Sequence, residues 1–346
     1  MMRRLHFARR RGFSLVELMV GILLAMAAVL VVTQVFRVSE GQRRGTSGGD
    51  DAQTTGAIAV SLLQRDLRQA GQGLMSPQLL LCQLALGGGR SIGTLAPVAI
   101  NPASIPAGDA NTDVLQIAYG SGWGSPEGGL INLQTGPAEY VVPGSLSYQI
   151  GDRVIVTTQA RATPCALTLT RVSAQSTPTT VTVATGVAGA ANGVLFNLGQ
   201  TPRLLAYAVR NSRLTVCDFM TQDCTSTAAQ NWTEVADNIV SLRAQYARDR
   251  SNPRDGTADG YDTDNGTLNT PAAWGCLVGM RLALIARSRQ PETADIPASA
   301  PTWAGAASSP LQPPGDDWRR YRYKTFETTV PLRNAPGAGE PAFSAC

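Results

Sequence analysis

From Leu18 to Phe36 the chain runs for nineteen residues without a charge, close to the roughly 20 residues a helix needs to cross a bilayer. Five arginines precede this run: Arg3, Arg4, Arg9, Arg10 and Arg11. A basic flank of this kind keeps the N-terminus in the cytoplasm and places everything after Phe36 on the exported side. The pattern changes at Arg37. Residues 37 to 56 are polar and carry Gly41, Gly45, Gly48, Gly49 and Gly56. Glycine weakens a helix by about 1 kcal/mol relative to alanine, so the helix is expected to fray, kink or break here, or to give way to a flexible tether. Helical periodicity returns at Ala57. Ile58, Leu62, Leu63, Leu67 and Ala70 form one apolar stripe, and Arg65, Asp66, Arg68 and Gln69 fall largely on the polar side. Gly71 and Gly73 are natural C-terminal stops.

Beyond residue 111 the period falls to two. Asp113 to Tyr119 alternates, Asp152 to Thr158 is a β-branched run, and Leu204 to Val209 and Arg213 to Asp218 flank Asn211-Ser212 as a hairpin. Ile239 to Tyr246, Leu277 to Ile285 and Tyr321 to Val330 are the strongest later strands. Loops rich in Pro and Gly separate them, and no fixed-period repeat is evident. The pattern predicts an α+β architecture: a membrane-spanning and amphipathic N-terminal helix followed by an antiparallel β-sheet head.

Composition sharpens this. Of the 346 residues 16% are charged, and the net charge is +4. The five N-terminal arginines account for that sign, since without them 24 basic residues face 25 acidic ones. The basic balance is therefore no argument for nucleic-acid binding. The only histidine is His6. Beyond it the chain lacks the base of Ser-His-Asp or Cys-His catalysis and the histidine of most zinc-enzyme ligand sets, which argues against an enzyme. Six cysteines, Cys82, Cys165, Cys217, Cys224, Cys276 and Cys346, lie on the predicted oxidising side without a C-x-x-C pair, so disulfides are expected. Cys217 and Cys224 end a strand and its following turn and are the natural short-loop pair, worth about 2 kcal/mol. Cys276 with Cys346 and Cys82 with Cys165 follow by elimination.

Three readings fit the N-terminus: a secretory signal peptide, a plain anchor, and a signal cut before the apolar run. Ala25-Met26-Ala27 mimics a small-x-small cleavage site but lies inside the run. Glu17 favours the third reading, because a carboxylate beside a membrane span is costly and usually has a purpose. Gly12-Phe13-Ser14-Leu15-Val16-Glu17-Leu18 resembles the cleavage and methylation motif of type IV pilins and type II secretion pseudopilins. The resemblance implies that a prepilin peptidase cuts between Gly12 and Phe13, that Phe13 becomes the N-methylated first residue, and that Glu17 is the membrane glutamate used in assembly. Glu17 would then pair with the methylated amine of a neighbouring subunit, or neutralise that of its own chain.

Further segments carry a second likeness. Leu63 to Gly71 resembles the helix end of PilW-type minor pilins. Val235 to Leu242, Val278 to Ser288 and Thr328 to Asn334 resemble the last strands of that family, whereas residues 75 to 230 match nothing recognisable. The resemblance divides the chain into a leader (1–12), a transmembrane helix (13–38), a polar Gly-rich segment with an amphipathic helix (39–73) and an exported head (74–346). It implies a minor pilin that helps to initiate and cap a type IV pilus. Its partners would be other minor pilins, the major pilin, the prepilin peptidase, the inner-membrane assembly platform and membrane lipid. The chain would span the inner membrane once, head in the periplasm, before entering the fibre at the cell surface. A GspJ-like pseudopilin, or a surface adhesin or DNA-uptake tip subunit, is the alternative.

Two segments carry candidate chemistry. Asp255, Asp259, Asp262 and Asp264 form the densest set of oxygen ligands and suggest a structural calcium site. The loop fits an EF-hand poorly, and a solvated Asp/Gly turn is the simpler reading. Arg320, Arg322 and Lys324 alternate with Tyr321 and Tyr323, a row that could hold single-stranded nucleic acid but is also what any exposed strand shows. Trp303 and Trp318 sit in loops, as core plugs or contact residues.

Overall fold

The computed structural model describes residues 12, 14–122, 124–296 and 299–335. One helix, α1, runs unbroken from Leu15 to Gln69, 55 residues, or about 80 Å at 1.5 Å per residue. The expected fray or kink between residues 37 and 56 does not occur. Two of the glycines there serve close approach instead. A Cβ on Gly56 would lie 2.0 Å from the Phe326 ring, and one on Gly48 would lie 3.1 Å from the Ser288 Cβ. Packing against the head thus compensates the weak propensity of this stretch.

The buried stripe of α1 is Ala52, Gly56, Ala59, Leu63, Asp66, Leu67 and Ala70, at alternating spacings of mostly three and four. This corrects the stripe expected from the sequence by about 25° of helix rotation at 100° per residue. Ile58 is 50% exposed, and Asp66, expected on the polar side, is fully buried. The helix ends where Gly71 enters the left-handed region (φ 84°) and donates to the Ala118 carbonyl at 2.8 Å, hooking the helix terminus to a strand.

Among the described residues the strands form three sheets. A four-stranded antiparallel sheet runs in the order Gly260–Asp262, Ile239–Arg248, Leu277–Arg287, Tyr323–Pro331. A five-stranded antiparallel sheet runs Thr233–Ala236, Arg213–Asp218, Arg203–Arg210, Leu115–Tyr119, Val98–Ile100. A nine-stranded sheet, drawn from residues 83–92 and 129–199, has a core of its own around Tyr140, Tyr148 and Val154 on one side and on the other packs Ile155, Leu169 and Phe196 against the five-stranded sheet. The α+β class read from the sequence therefore holds, with one parallel pairing, Gln83–Gly87 beside Ala166–Thr177.

Alternation along the central strands separates two cores. Leu115, Ile117 and Tyr119, with Leu205, Tyr207 and Val209, face α1 and the four-stranded sheet. Val114 and Ala118, with Leu204, Ala206 and Ala208, face the second core beneath. Both faces are buried, so the inner positions of these strands are apolar on both sides, with the buried Gln116 as the exception, rather than alternating apolar and polar. The hairpin read at Asn211-Ser212 is present, with φ of 52° and 59° at the turn. Both turn amides donate to the Asp109 carboxylate, at 2.9 and 2.8 Å.

The packing at Gly56 gives a matched test. Gly56→Ala must displace Phe326 and should lower the thermal midpoint, since overpacking costs about 1–3 kcal/mol. Gly49→Ala meets nothing within 4 Å and should raise it slightly, by about 0.5–1 kcal/mol. Thermal melts of the two variants check this.

Candidate functional site

The N-terminal half of α1 is one candidate surface. Ser14 precedes the helix in extended conformation, and its carbonyl accepts the first helical bond from the Leu18 amide at 3.0 Å. Glu17 lies in the first turn, exposed, where a carboxylate is favoured by the helix dipole. The most apolar 18-residue window of the segment Leu15–Arg37 has a mean hydropathy of 2.8, and none of it is buried within the chain. Fourteen residues from Leu15 to Val35, and Phe36 after them, are large, apolar and exposed. Such a contiguous surface marks a lipid or protein contact. Gly12 is exposed. Phe13 and the arginine cluster lie outside the described residues.

The second half of α1 is keyed into the head by Asp66. Its carboxylate accepts from the Tyr207 hydroxyl at 2.6 Å, the Tyr119 hydroxyl at 3.1 Å and Arg65 Nε at 3.0 Å. The tyrosines come from adjacent strands of the five-stranded sheet and point at the same face of the helix. Burial first, and then the Asp66 carboxylate, push both phenols well above the ordinary tyrosine value of 10.0. Further polar bonds fix the end of the helix to the last strand: Gln64 Nε2 donates to Thr328 Oγ1 at 2.7 Å, and Asn334 Nδ2 donates to the Gln69 and Ala70 carbonyls. Asp113, also buried, joins the two antiparallel sheets by accepting from Arg243 Nη1 and the Ala244 amide at 3.1 and 3.0 Å. Asp66 lies in the segment Leu63 to Gly71 that resembles the family's helix end, but its flanking Arg65 and Arg68 put it on the polar side of the helix, and nothing local marks Asp113 as buried.

The acidic loop does not converge on one point. Asp262 holds Arg248 through two bonds, 2.8 and 2.9 Å, and Arg250 at 2.7 Å. Asp259 accepts the Arg250 amide, Asp255 the Thr257 amide, and Asp264 the Gly266 amide. Among the described residues no three metal-ligating side chains are grouped to hold an ion. These carboxylates are occupied by arginine and by their own turn amides.

The basic strand is likewise engaged. Arg320 lies in a 3-10 turn and donates to the Glu292 carbonyl, and Arg322 pairs with the Glu292 carboxylate at 2.6 Å. Lys324, on the last strand, is exposed. Trp303 is a core plug: its indole donates to the Ser309 carbonyl at 2.6 Å over Ala283 and Ile285. Trp318 is half-buried, with Arg319 over its ring.

Two disulfides clip the head, Cys217–Cys224 and Cys82–Cys165. The second lies where Gln83–Gly87 joins the nine-stranded sheet in parallel. Cys276 is also disulfide-bonded; Cys346, its expected partner, lies outside the described residues.

Comparison with known proteins follows this geometry. Residues 206–334 match the family model of PilW, the type IV pilus-assembly protein W. The matched segment contains the four-stranded sheet and the hairpin partner of Asp66, and it bears out the likeness read from the last strands. No curated protein matches the chain. Among solved structures, the chain is similar to a type IV-like pilin from Thermus thermophilus, with 11% identity and a TM-score of 0.32, over 82% of this chain and 97% of that one.

Three outcomes follow from these contacts. Asp66→Ala leaves two buried phenols without an acceptor and should cost about 3 kcal/mol by denaturant unfolding, with Tyr207→Phe costing about half as much. At alkaline pH the unfolded tyrosines ionise near 10 while the folded ones stay protonated, so this contribution is complete below pH 10 and is lost as pH rises above it; the midpoint should fall over that range, and less steeply in Tyr207→Phe. Asp262→Ala leaves Arg248, whose side chain is 4% exposed, with only the Asp264 carbonyl as hydrogen-bond acceptor, and should lower the unfolding free energy by about 3 kcal/mol. That loss should be the same with millimolar calcium or with chelator; a calcium-dependent midpoint that vanishes in Asp262→Ala would restore the calcium reading.

Proposed function

We propose that the chain is a minor pilin of the PilW kind, which helps to initiate and cap type IV pilus assembly within a minor-pilin tip complex. The observation that carries this reading is the division of one continuous helix. Its first 23 residues are apolar and exposed, and its second half is locked into a head whose C-terminal part matches an assembly-protein family. A chain built this way works by assembly rather than turnover. The apolar half packs laterally against other subunits and lipid, and the stiff helix transmits that position to the head.

In this reading a prepilin peptidase cuts between Gly12 and Phe13 and methylates the Phe13 amine. The chain first crosses the inner membrane, with the head in the periplasm, and is then drawn into the fibre by the assembly platform. Glu17, exposed on the first turn, pairs with the amine of the neighbouring subunit nearer the tip. Opposite charges attract strongly in low dielectric, whereas either alone is penalised by desolvation. A subunit with nothing above it has no use for this carboxylate, which supports a place just below the tip with another minor pilin above.

The N-terminal peptide of the exported protein should begin at Phe13 and carry one extra methyl by mass spectrometry. A start after Ala27, or an intact leader, contradicts the processing. Glu17→Ala should leave cleavage intact but sharply reduce pilus number and the recovery of other minor pilins with this one. Normal piliation with an unchanged complex counts against the pairing and the sub-tip position.

A further inference from the structure

The strand Tyr323–Pro331 is an outer edge of the four-stranded sheet and pairs with Leu277–Arg287 along its whole length. The two ends of that ladder fix the direction of its backbone groups. The Ser288 amide donates to the Arg322 carbonyl at 2.8 Å, and the Leu332 amide to the Val278 carbonyl at 3.0 Å. The backbone groups of Arg322 and Leu332 therefore face inward, and with them those of Lys324, Phe326, Thr328 and Val330. Tyr323, Thr325, Glu327 and Thr329 turn their amides and carbonyls to the open edge, where no backbone group of the described residues bonds them. Natural edges are usually blunted by a bulge, a proline or a cover. This one has no bulge and no proline before Pro331, and Thr325, Glu327 and Thr329 are exposed.

A trough of about 720 Å³ follows this edge. Every residue from Tyr321 to Thr325 lines it. Side chains of both faces contribute, so the trough runs along the edge of the strand rather than over one side of the sheet. Gly49, Ala52 and Gln53 of α1 form one wall, and Pro301 and Thr302 form the other. Three charged residues line it as well. Arg322 is already paired with Glu292. Asp50 and Lys324 are exposed and have no ion partner among the described residues.

We propose that this edge takes an outer strand from another polypeptide, an extended segment antiparallel to Tyr323–Pro331 that sets β-branched residues beside Thr325 and Thr329 and an acidic side chain beside Lys324. An extended backbone repeats its donors and acceptors in step with the outward groups of the edge. The threonines favour β-branched neighbours, opposite charges favour each other across strands, and antiparallel ladders are the more stable. The chain itself fits the trough poorly. The strand runs beside α1 in the same direction: Gly48 meets Ser288, Gly56 meets Phe326, and Gln64 bonds Thr328. A second copy added antiparallel would point its apolar helix the opposite way. The last described residues lie at the other end, where Asn334 bonds the Gln69 and Ala70 carbonyls, about 26 Å along the strand from Tyr323. The site rests on sheet geometry and does not depend on the chain's role in assembly.

The test titrates the isotope-labelled full chain, in detergent, with a short end-blocked peptide of alternating threonine and valine with one central aspartate. A control peptide carries two adjacent prolines and cannot extend a ladder. In the lone chain the amides of Thr325, Glu327 and Thr329 should exchange with solvent quickly, while those of Phe326 and Thr328 are protected. The aspartate peptide should give saturable shifts at the outward amides, and the control none. Thr325→Pro removes an outward amide that the sheet does not use, and should weaken binding roughly tenfold while Phe326 and Thr328 stay protected. Lys324→Glu changes one exposed charge and should weaken binding roughly threefold, with the preference reversed for a lysine-centred peptide. Outward amides already protected in the lone chain would show the chain filling its own edge, and outward shifts that depend on protein concentration would assign the edge to a second copy. Either result overturns the proposal, as would shifts that stay linear in peptide, an equal response to the control, or binding undiminished in Thr325→Pro. Should Thr325→Pro not fold, the charge reversal at Lys324 decides it.

Discussion

The fold depends on one contact zone, where residues 52 to 70 of α1 lie across the junction of two antiparallel sheets. Its apolar part is ordinary core packing by Ala59, Leu63, Leu67 and Ala70. Its polar part is not. Asp66 carries a charge into full burial, and two tyrosines from neighbouring strands are spent on holding it. A buried charge is a weak source of net stability compared with apolar packing, but it is demanding about position. A slide of α1 by one residue would carry the carboxylate away from both hydroxyls. Gly56 adds a steric counterpart, since only a bare backbone fits against Phe326. Together they fix the register of helix on head.

That fixed register matters because the rest of the helix is unsupported. Residues 15 to 37 are exposed throughout. Whatever places them, lipid or other subunits, places the head through a single rod about 80 Å long. The two halves differ in what each can tolerate. The apolar half needs hydrophobicity and lateral access. The docked half needs small residues and one carboxylate at set intervals.

The sequence made the ends of the chain legible and left the middle obscure. The apolar run is readable because membranes impose length and charge rules that little else mimics. The Asn211-Ser212 hairpin and the long strands after Ile239 were visible because local turn chemistry and β-branched runs suffice to specify them. The helix face was misread at Ile58 and Asp66, since hydrophobicity alone ranks isoleucine inside and aspartate outside, and only tertiary partners reverse that order. The glycines at 48 and 56 were misread for the same reason: propensity treats glycine as a cost, whereas packing against Ser288 and Phe326 requires it. The acidic loop reads in sequence as a cluster of oxygen ligands; that Asp262 holds Arg248, brought close by strand pairing, is something the spacing within the loop does not report. Strands between residues 83 and 199 are mostly short, and their pairing is set by the core of the nine-stranded sheet rather than by local pattern.

The central claim is that one uninterrupted helix couples the apolar N-terminal half rigidly to the head. Spin labels at Gln34 and Ser61, both exposed, test it directly in the full chain by pulsed dipolar spectroscopy. A continuous helix separates these positions by about 40 Å, so the account predicts a single narrow distribution near that distance. A broad distribution centred well below it would show that the glycine-rich stretch bends or melts, and would contradict the account.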